Sequence, residues 1–255
     1  MSVWYSPNAV YNGSVGLTPS PETATSGQSP HVSNGYSKPD HLPSRVRPEY
    51  RLDSVLGVDI SPLEIPDAYV CTPRAFGDDR GTFLEWFRGD KLAEVTGRAF
   101  TPVQANHSIS RRGVLRGVHF ADVPPGQAKY VYCSSGAVLD VIIDLRVGSP
   151  SYRKHAAVRL DDVDRRGVYL PEGVGHAFLA VSEEAHVTYL VSTPYNPAIE
   201  HAVHPLDPEL ALPWPADIGE PLLSDKDAAA PGIAAAERDG LLPSYDVCQA
   251  FYADN

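Results

Sequence analysis

The chain has 255 residues, 43% of them hydrophobic, which is ample for a globular core, and its 21 basic against 32 acidic side chains leave a formal net charge of −11. That acidity argues against sequence-independent binding to nucleic acid or to an anionic membrane, since both need a basic face. It also makes any local gathering of Arg, Lys and His conspicuous.

Residues 1–50 are dominated by Ser, Pro, Gly, Thr and Asn, as in Thr18-Pro19-Ser20-Pro21 and Ser26-Gly27-Gln28-Ser29-Pro30. Such a segment buries too little apolar surface to offset its ordering entropy and is expected to be a disordered tail. Trp4, Tyr5, Tyr11 and Tyr36 within it are candidates for docking on the folded domain or on a partner subunit. Residues 1–20 lack the basic start and apolar centre of a secretory signal, and no apolar run approaches the ~20 residues of a membrane span. A cytoplasmic protein with no membrane and no nucleic-acid partner is expected.

From Leu52 the pattern changes, and residues 51–255 are expected to form a single domain. Ten runs read as strands: 67–72, 82–88, 103–108, 114–120, 128–133, 137–145, 155–160, 167–170, 176–181 and 186–192. The 24 prolines and 20 glycines punctuate them at short intervals. Ala137–Leu145 sets Val138, Leu139, Val141, Ile142 and Ile143 around Asp140 and Asp144, as expected of a strand packed on both faces. Helices are minor: one over 90–95 with Asp90 as N-cap, and an Ala-rich stretch over 228–238 broken at Pro231-Gly232. This many short strands predicts an all-β jelly-roll double-sheet barrel with minor peripheral helices. Cys71, Cys133 and Cys248 are widely spaced and odd in number; Cys71 and Cys133, in strands, read as buried, reduced hydrophobes.

The segment Gly113-Val114-Leu115-Arg116-Gly117-Val118-His119, followed by Lys129, carries the chemistry. Strict alternation puts Arg116 and His119 on opposite faces, but a bulge at Gly117 turns both to one side. A basic trio among Val, Leu and Tyr calls for an anion. With Pro171-Glu172-Gly173-Val174-Gly175-His176, the segment resembles the two strand-turn signatures of the cupin superfamily. Metal-binding cupins continue the first signature as His-x-His and then a carboxylate. Here Ala121 takes the second histidine's place, and Lys129 has no lone pair for a cation, so neither a metal nor another cofactor is expected.

The order and spacing of further segments resemble the family of dTDP-4-dehydrorhamnose 3,5-epimerase from about Leu52 to Leu242. They are Asp79-Arg80-Gly81-Thr82-Phe83-Leu84-Glu85, Gln104-Ala105-Asn106, Gly148-Ser149-Pro150, Tyr189, Tyr195-Asn196-Pro197, Leu206-Asp207-Pro208, Trp214-Pro215 and Ser224-Asp225-Lys226-Asp227. The resemblance implies epimerisation of a dTDP-4-keto-6-deoxyhexose, at C3 and in part of the family also at C5, in a cupin-type homodimer. It implies His119 as base, Asp227 as its orienting carboxylate, Lys129 as stabiliser of the enolate and Tyr189 as proton donor. Arg80 and Arg116 suit the pyrophosphate, as guanidinium forks bind phosphate oxygens in pairs. Phe83, Glu85, Gln104, Asn106, His176 and Tyr195 fall at nucleotide and sugar contacts, with Arg80, Phe83 and Glu85 reaching across the dimer interface. An imidazole's ordinary pKa of ~6.5 suits a base at neutral pH. Two departures from the family pattern, Leu190 after Tyr189 and Tyr132-Cys133 after Lys129, are read as room for altered substrate placement and epimerisation at one carbon. A non-catalytic sugar-nucleotide-binding cupin and a metal-dependent cupin enzyme are the rival readings.

Overall fold

Strands that alternate apolar and polar residues bury one side only when a second sheet closes over it. The computed structural model describes residues 57–254, and the expected tail over 1–50 lies outside them. Among the described residues thirteen strands form: β1 Val58–Pro62, β2 Tyr69–Pro73, β3 Ala75–Asp78, β4 Gly81–Leu84, β5 Gln104–Arg111, β6 Leu115–Ala121, β7 Lys129–Ser135, β8 Ala137–Asp144, β9 His155–Asp161, β10 Gly167–Leu170, β11 Val174–Ala180, β12 Glu184–Val191 and β13 Glu200–Ala202. All pair antiparallel. One sheet runs β1-β2-β10-β7-β12-β5 and the other β13-β6-β11-β8-β9, while β3 and β4 make a separate hairpin. This is the expected jelly roll.

Between the sheets, Val131, Cys133, Val168, Leu170 and Val187 of the first meet Val138, Ile142, Leu160 and Phe178 of the second. The outer face of the second sheet is covered as well. Val118, Phe120, Val141, Ile143 and Ala177 pack there against Val203, Leu210, Ile233 and Ala236 of the C-terminal segment. Double coverage explains why seven of the eight residues of β8 are buried. On the outer face of the first sheet, Cys71, Tyr130 and Tyr169 pack under Leu92 and Phe100, with Trp86 and Phe87 alongside.

All ten expected strands form, although the run over 82–88 stops at Leu84. β1, β3 and β13 are additional, each five residues or fewer, too short to announce themselves by alternation. Helix α1 spans Gly89–Thr96. Its N-cap is Arg88, not Asp90, and the Asp90 carboxylate accepts from the Arg88 guanidinium at 2.6 Å instead. Of the Ala-rich stretch only the part after Pro231-Gly232 is helical, as α3, Ile233–Arg238; the short α2, Asp225–Ala228, ends where the stretch begins, and a last helix, α4, spans Tyr245–Ala253. Cys71, Cys133 and Cys248 are free and buried. No helix among the described residues is long and apolar enough to cross a membrane.

Candidate active site

The register between β6 and β11 sets the site. His119 lies opposite His176 and Arg116 opposite Phe178, so three steps along β6 match two along β11. The extra residue is a bulge, and directly paired residues share a face of the sheet. Phe178 belongs to the core between the sheets, so Arg116 and His119 both turn inward, as the sequence led us to expect. Gly117 allows it: its φ is +114°, and a Cβ there would stand 2.4 Å from the His176 carbonyl oxygen and 2.7 Å from Ala177 Cα.

His119 Nε2 lies 2.7 Å from Asp227 Oδ1, across 108 positions of sequence. The chain closes that gap by hydrogen bonds from Leu222 N–H to the Gly113 carbonyl and from Leu115 N–H to the Leu222 carbonyl, which draw the start of α2 against the start of β6. Ser224 caps α2 by accepting from the Asp227 N–H, leaving the Asp227 carboxylate for the imidazole. Burial alone raises the Asp227 carboxyl, but the His119 hydrogen bond and charge, with Ser224 and the Gly117 N–H, hold it below the usual carboxylate range. The imidazole itself keeps about a third of its exposure, against 4% for Asp227. One ring nitrogen is therefore fixed, while the ring as a whole stays partly exposed.

Behind His119, His176 Nε2 is 2.7 Å from Asp140 Oδ2, both side chains being buried. Lys129, 7% exposed, projects from the first strand position of β7 on the side of Val131 and Cys133, which is inward. Burial pushes its ammonium down to about 8, opposed by the negative charge of Glu200. Tyr189 on β12 faces inward like Val187 and Val191, between Val131 and Asn106. Burial raises its phenol above the ordinary value; the Arg116 charge opposes this and that of Glu200 adds to it. The phenol is thus held in its protonated form.

Arg116 donates from Nε to Ser110 Oγ at 3.1 Å, which leaves the end of the guanidinium for an anion. On β5, Gln104 donates to Asn106 Oδ1 at 2.8 Å and accepts from the Tyr195 N–H at 3.0 Å, setting the half-exposed Tyr195 ring at the rim. Arg80, Phe83 and Glu85 stand apart. Arg80 pairs with its neighbour Asp78 on the exposed turn of the β3–β4 hairpin, the Phe83 side is 63% exposed, and Glu85 pairs with Arg88. Within one chain, no hydrogen bond or ion pair among the described residues ties these three to the cavity.

The departures read as room for altered substrate placement fall elsewhere. Tyr132 packs on Trp86 on the outer face of the first sheet, ring centroids 5.1 Å apart, and Leu190 joins the same aromatic cluster. Cys133 is enclosed in the core. Strand alternation decides this: Leu190 follows the inward-facing Tyr189 and Tyr132 lies three positions from the inward-facing Lys129, so both point out, while Cys133, four positions from Lys129, points in to the core. Three site residues escaped sequence reasoning. Asp140 had a signal, a carboxylate amid an apolar run. Glu200 and Gln127 had none, and only the folding of β13 onto β6 brings Glu200 to the cavity. Among the described residues no cluster of three or more His, Cys, Asp or Glu could hold a metal ion.

Two antiparallel sheets whose facing sides carry two histidines, a lysine and a tyrosine define an enzyme of the cupin fold. The family model described as dTDP-4-dehydrorhamnose 3,5-epimerase matches residues 62–235, and the chain belongs to that family. It is 56% identical over 191 residues to a dTDP-4-dehydrorhamnose 3-epimerase of Streptomyces niveus, covering 75% of this chain and 91% of that one. It is 54% identical over 190 residues to a dTDP-4-dehydrorhamnose 3,5-epimerase of Streptomyces griseus, covering 74% and 94%. The crystal structure of ChmJ, a 3'-monoepimerase from Streptomyces bikiniensis in complex with dTDP-quinovose, superposes with a TM-score of 0.74 at 47% identity, covering 76% of this chain and 97% of that one. These relatives are isomerases, and so is this chain.

Proposed function

We propose that the protein epimerises a dTDP-4-keto-6-deoxyhexose at C3, the position common to the activities of both named relatives. The observation that carries this reading is the His119–Asp227 pair, 2.7 Å apart, on an inward sheet face toward which a buried lysine and a partly buried tyrosine also project. The nitrogen of His119 turned away from Asp227 takes the C3 proton, and the C–H electron pair moves to the C4 carbonyl oxygen. Lys129 supplies positive charge where that oxyanion develops, usually the largest contribution in such a reaction. Tyr189, kept protonated by burial, returns a proton to the opposite face of C3, and His119 and Tyr189 exchange protons with solvent between turnovers.

Arg116 holds the pyrophosphate, while Gln104, Asn106, His176 and Tyr195 fix the nucleotide and sugar. The exposure of Phe83 and Arg80 in a single chain supports a homodimer in which each β3–β4 hairpin brings Arg80, Phe83 and Glu85 to the other subunit's cavity. Three buried, unpaired cysteines fit a reducing, cytoplasmic setting. The test is incubation with dTDP-4-keto-6-deoxyglucose in D2O. Deuterium is expected at C3, and His119→Ala is expected to lower its incorporation by at least ~10³-fold. Undiminished exchange in a folded His119→Ala variant would overturn the assignment. Binding of dTDP with no exchange at either carbon would favour a non-catalytic sugar-nucleotide-binding protein.

A further inference from the structure

Three carboxylates border the cavity, and two are held by imidazoles: Asp227 by His119 and Asp140 by His176. The third, Glu200, is held differently. It sits half-buried at the first position of β13, opposite Ala121 of β6 and so beside the strand that carries His119. Its Oε1 accepts from Gln127 Nε2 at 3.2 Å, and the same amide nitrogen donates to the Thr193 carbonyl at 2.9 Å. Gln127 is 9% exposed and lies two positions before Lys129, just ahead of β7. A neutral amide fixes a carboxylate in place without neutralising it. Among the described residues the Glu200 carboxylate makes no other hydrogen bond and no ion pair, so its negative charge is left to act on the cavity.

We propose that Glu200, tethered by Gln127, is a positioning residue that keeps the Lys129 ammonium charged and the Tyr189 phenol protonated. The inference rests on the roles given above to Lys129 and Tyr189. A buried lysine without a counter-charge drifts toward the neutral amine, which supplies no positive charge to an enolate. The other groups facing this space are Arg116 and His119 of β6, His176 of β11 with Asp140 of β8, Tyr189 of β12, and Asp227 of α2 behind His119. Arg116 disfavours a second cation, and Asp140 and Asp227 are each bonded to an imidazole. Glu200 is the carboxylate whose charge acts on both proposed donors: it raises Lys129 against the effect of burial and raises Tyr189 further.

The test separates this charge effect from the reaction. The lysines are Lys38, Lys91, Lys129, Lys154 and Lys226, few enough for an NMR titration of protein carrying ¹³C at the lysine ε-carbons, with Lys129→Met assigning the signal. The Lys129 midpoint is expected near about 8 in the unaltered protein. It should fall by roughly one pH unit in Glu200→Gln and stay near the original in Glu200→Asp. Solvent exchange at C3 should then drop about three-fold at pH 7.5 in Glu200→Gln and by less than about two-fold at pH 6.5, with KM little changed. A Lys129 midpoint unmoved in Glu200→Gln would overturn the proposal, as would an equal loss of activity at both pH values. A midpoint that moves while the exchange profile does not would overturn the enolate role of Lys129, and with it the claim that Glu200 serves the reaction. Should Glu200→Gln fail to fold, Gln127→Met, which frees the tether, is expected to shift the midpoint in the same direction by less.

Discussion

Two sets of buried charge lie inside this double sheet and are treated in opposite ways. In one, Asp144 and Arg146, both fully buried, are bonded at 2.9 Å through Arg146 Nε, and Ser149 and Ser151 fill the remaining acceptor positions of Asp144. Arg146 also donates to the Pro66 carbonyl and to Tyr252 of α4. Burial raises the Asp144 carboxyl, but Arg146 and the two serine hydroxyls outweigh it and hold it low. In the other set, Lys129 is buried with no carboxylate bonded to it among the described residues, and Asp140 Oδ1 is buried with no hydrogen-bond partner. The first network is closed and serves the fold. The second is left open at the groups that would meet a substrate, as expected where charge is held for chemistry.

Substitutions that cross the two regions sharpen the contrast. The largest effect is expected from Gly117→Ala, which sets a Cβ 2.4 Å from a backbone oxygen at a φ unfavourable to alanine. It should cost at least ~3 kcal/mol in denaturant unfolding and, where the protein still folds, remove C3 exchange by separating Arg116 from His119. Next comes Arg146→Met in the closed network, which strands the Asp144 carboxylate in the interior. A loss of about 3–5 kcal/mol is expected, measured by the same unfolding, with the remaining folded enzyme close to normal in kcat.

Lys129→Met tests the open site and should do the reverse, lowering kcat by about 10²–10³-fold while raising stability at pH 7 by up to ~3 kcal/mol. The sign follows from linkage. The folded-state pKa of Lys129, about 8, lies below the unfolded value of 10.5. Between these the unfolded chain binds more protons, so stability rises with pH across that window, and below it the buried ammonium is a constant penalty. A Lys129→Met protein less stable than the original at pH 7 would break the comparison. The unaltered enzyme should also lose C3 exchange as pH rises through about 8, as Lys129 gives up its proton. The smallest effect is expected for Leu190→Lys. Because Leu190 faces the outer aromatic cluster, it should cost about 1 kcal/mol in thermal unfolding and leave the ratio of C3 to C5 exchange unchanged.

Much of the architecture was legible beforehand because it rests on local periodicity. β8 announced itself by two carboxylates in an apolar run, and the glycines and prolines marked the turns. The pairing of Arg116 with His119 was legible for a different reason: two residues three apart on a strand share a face only through a bulge, and glycine is the residue that permits one. α4 was missed although Cys248 and Tyr252 fall four apart on its buried face, a short signal among loops. Asp90 looked like a cap, but the Arg88 side chain took its carboxylate.

The sequence by itself determined the double sheet, the inward turn at Gly117 and, through the order of its motifs, the family. These follow from the two-residue period of a strand, from the freedom of glycine at positive φ and from side-chain chemistry that needs no partner to be recognised. Only the tertiary structure decided which groups meet. Asp227 reaches His119 across 108 positions because the chain before α2 pairs with the start of β6. Glu200 reaches the cavity because β13 lies on that same strand. Tyr132 and Leu190 leave it because they lie three positions and one position along the strand from Lys129 and Tyr189, which point inward. Such meetings depend on long-range closure and strand register, which no local pattern encodes.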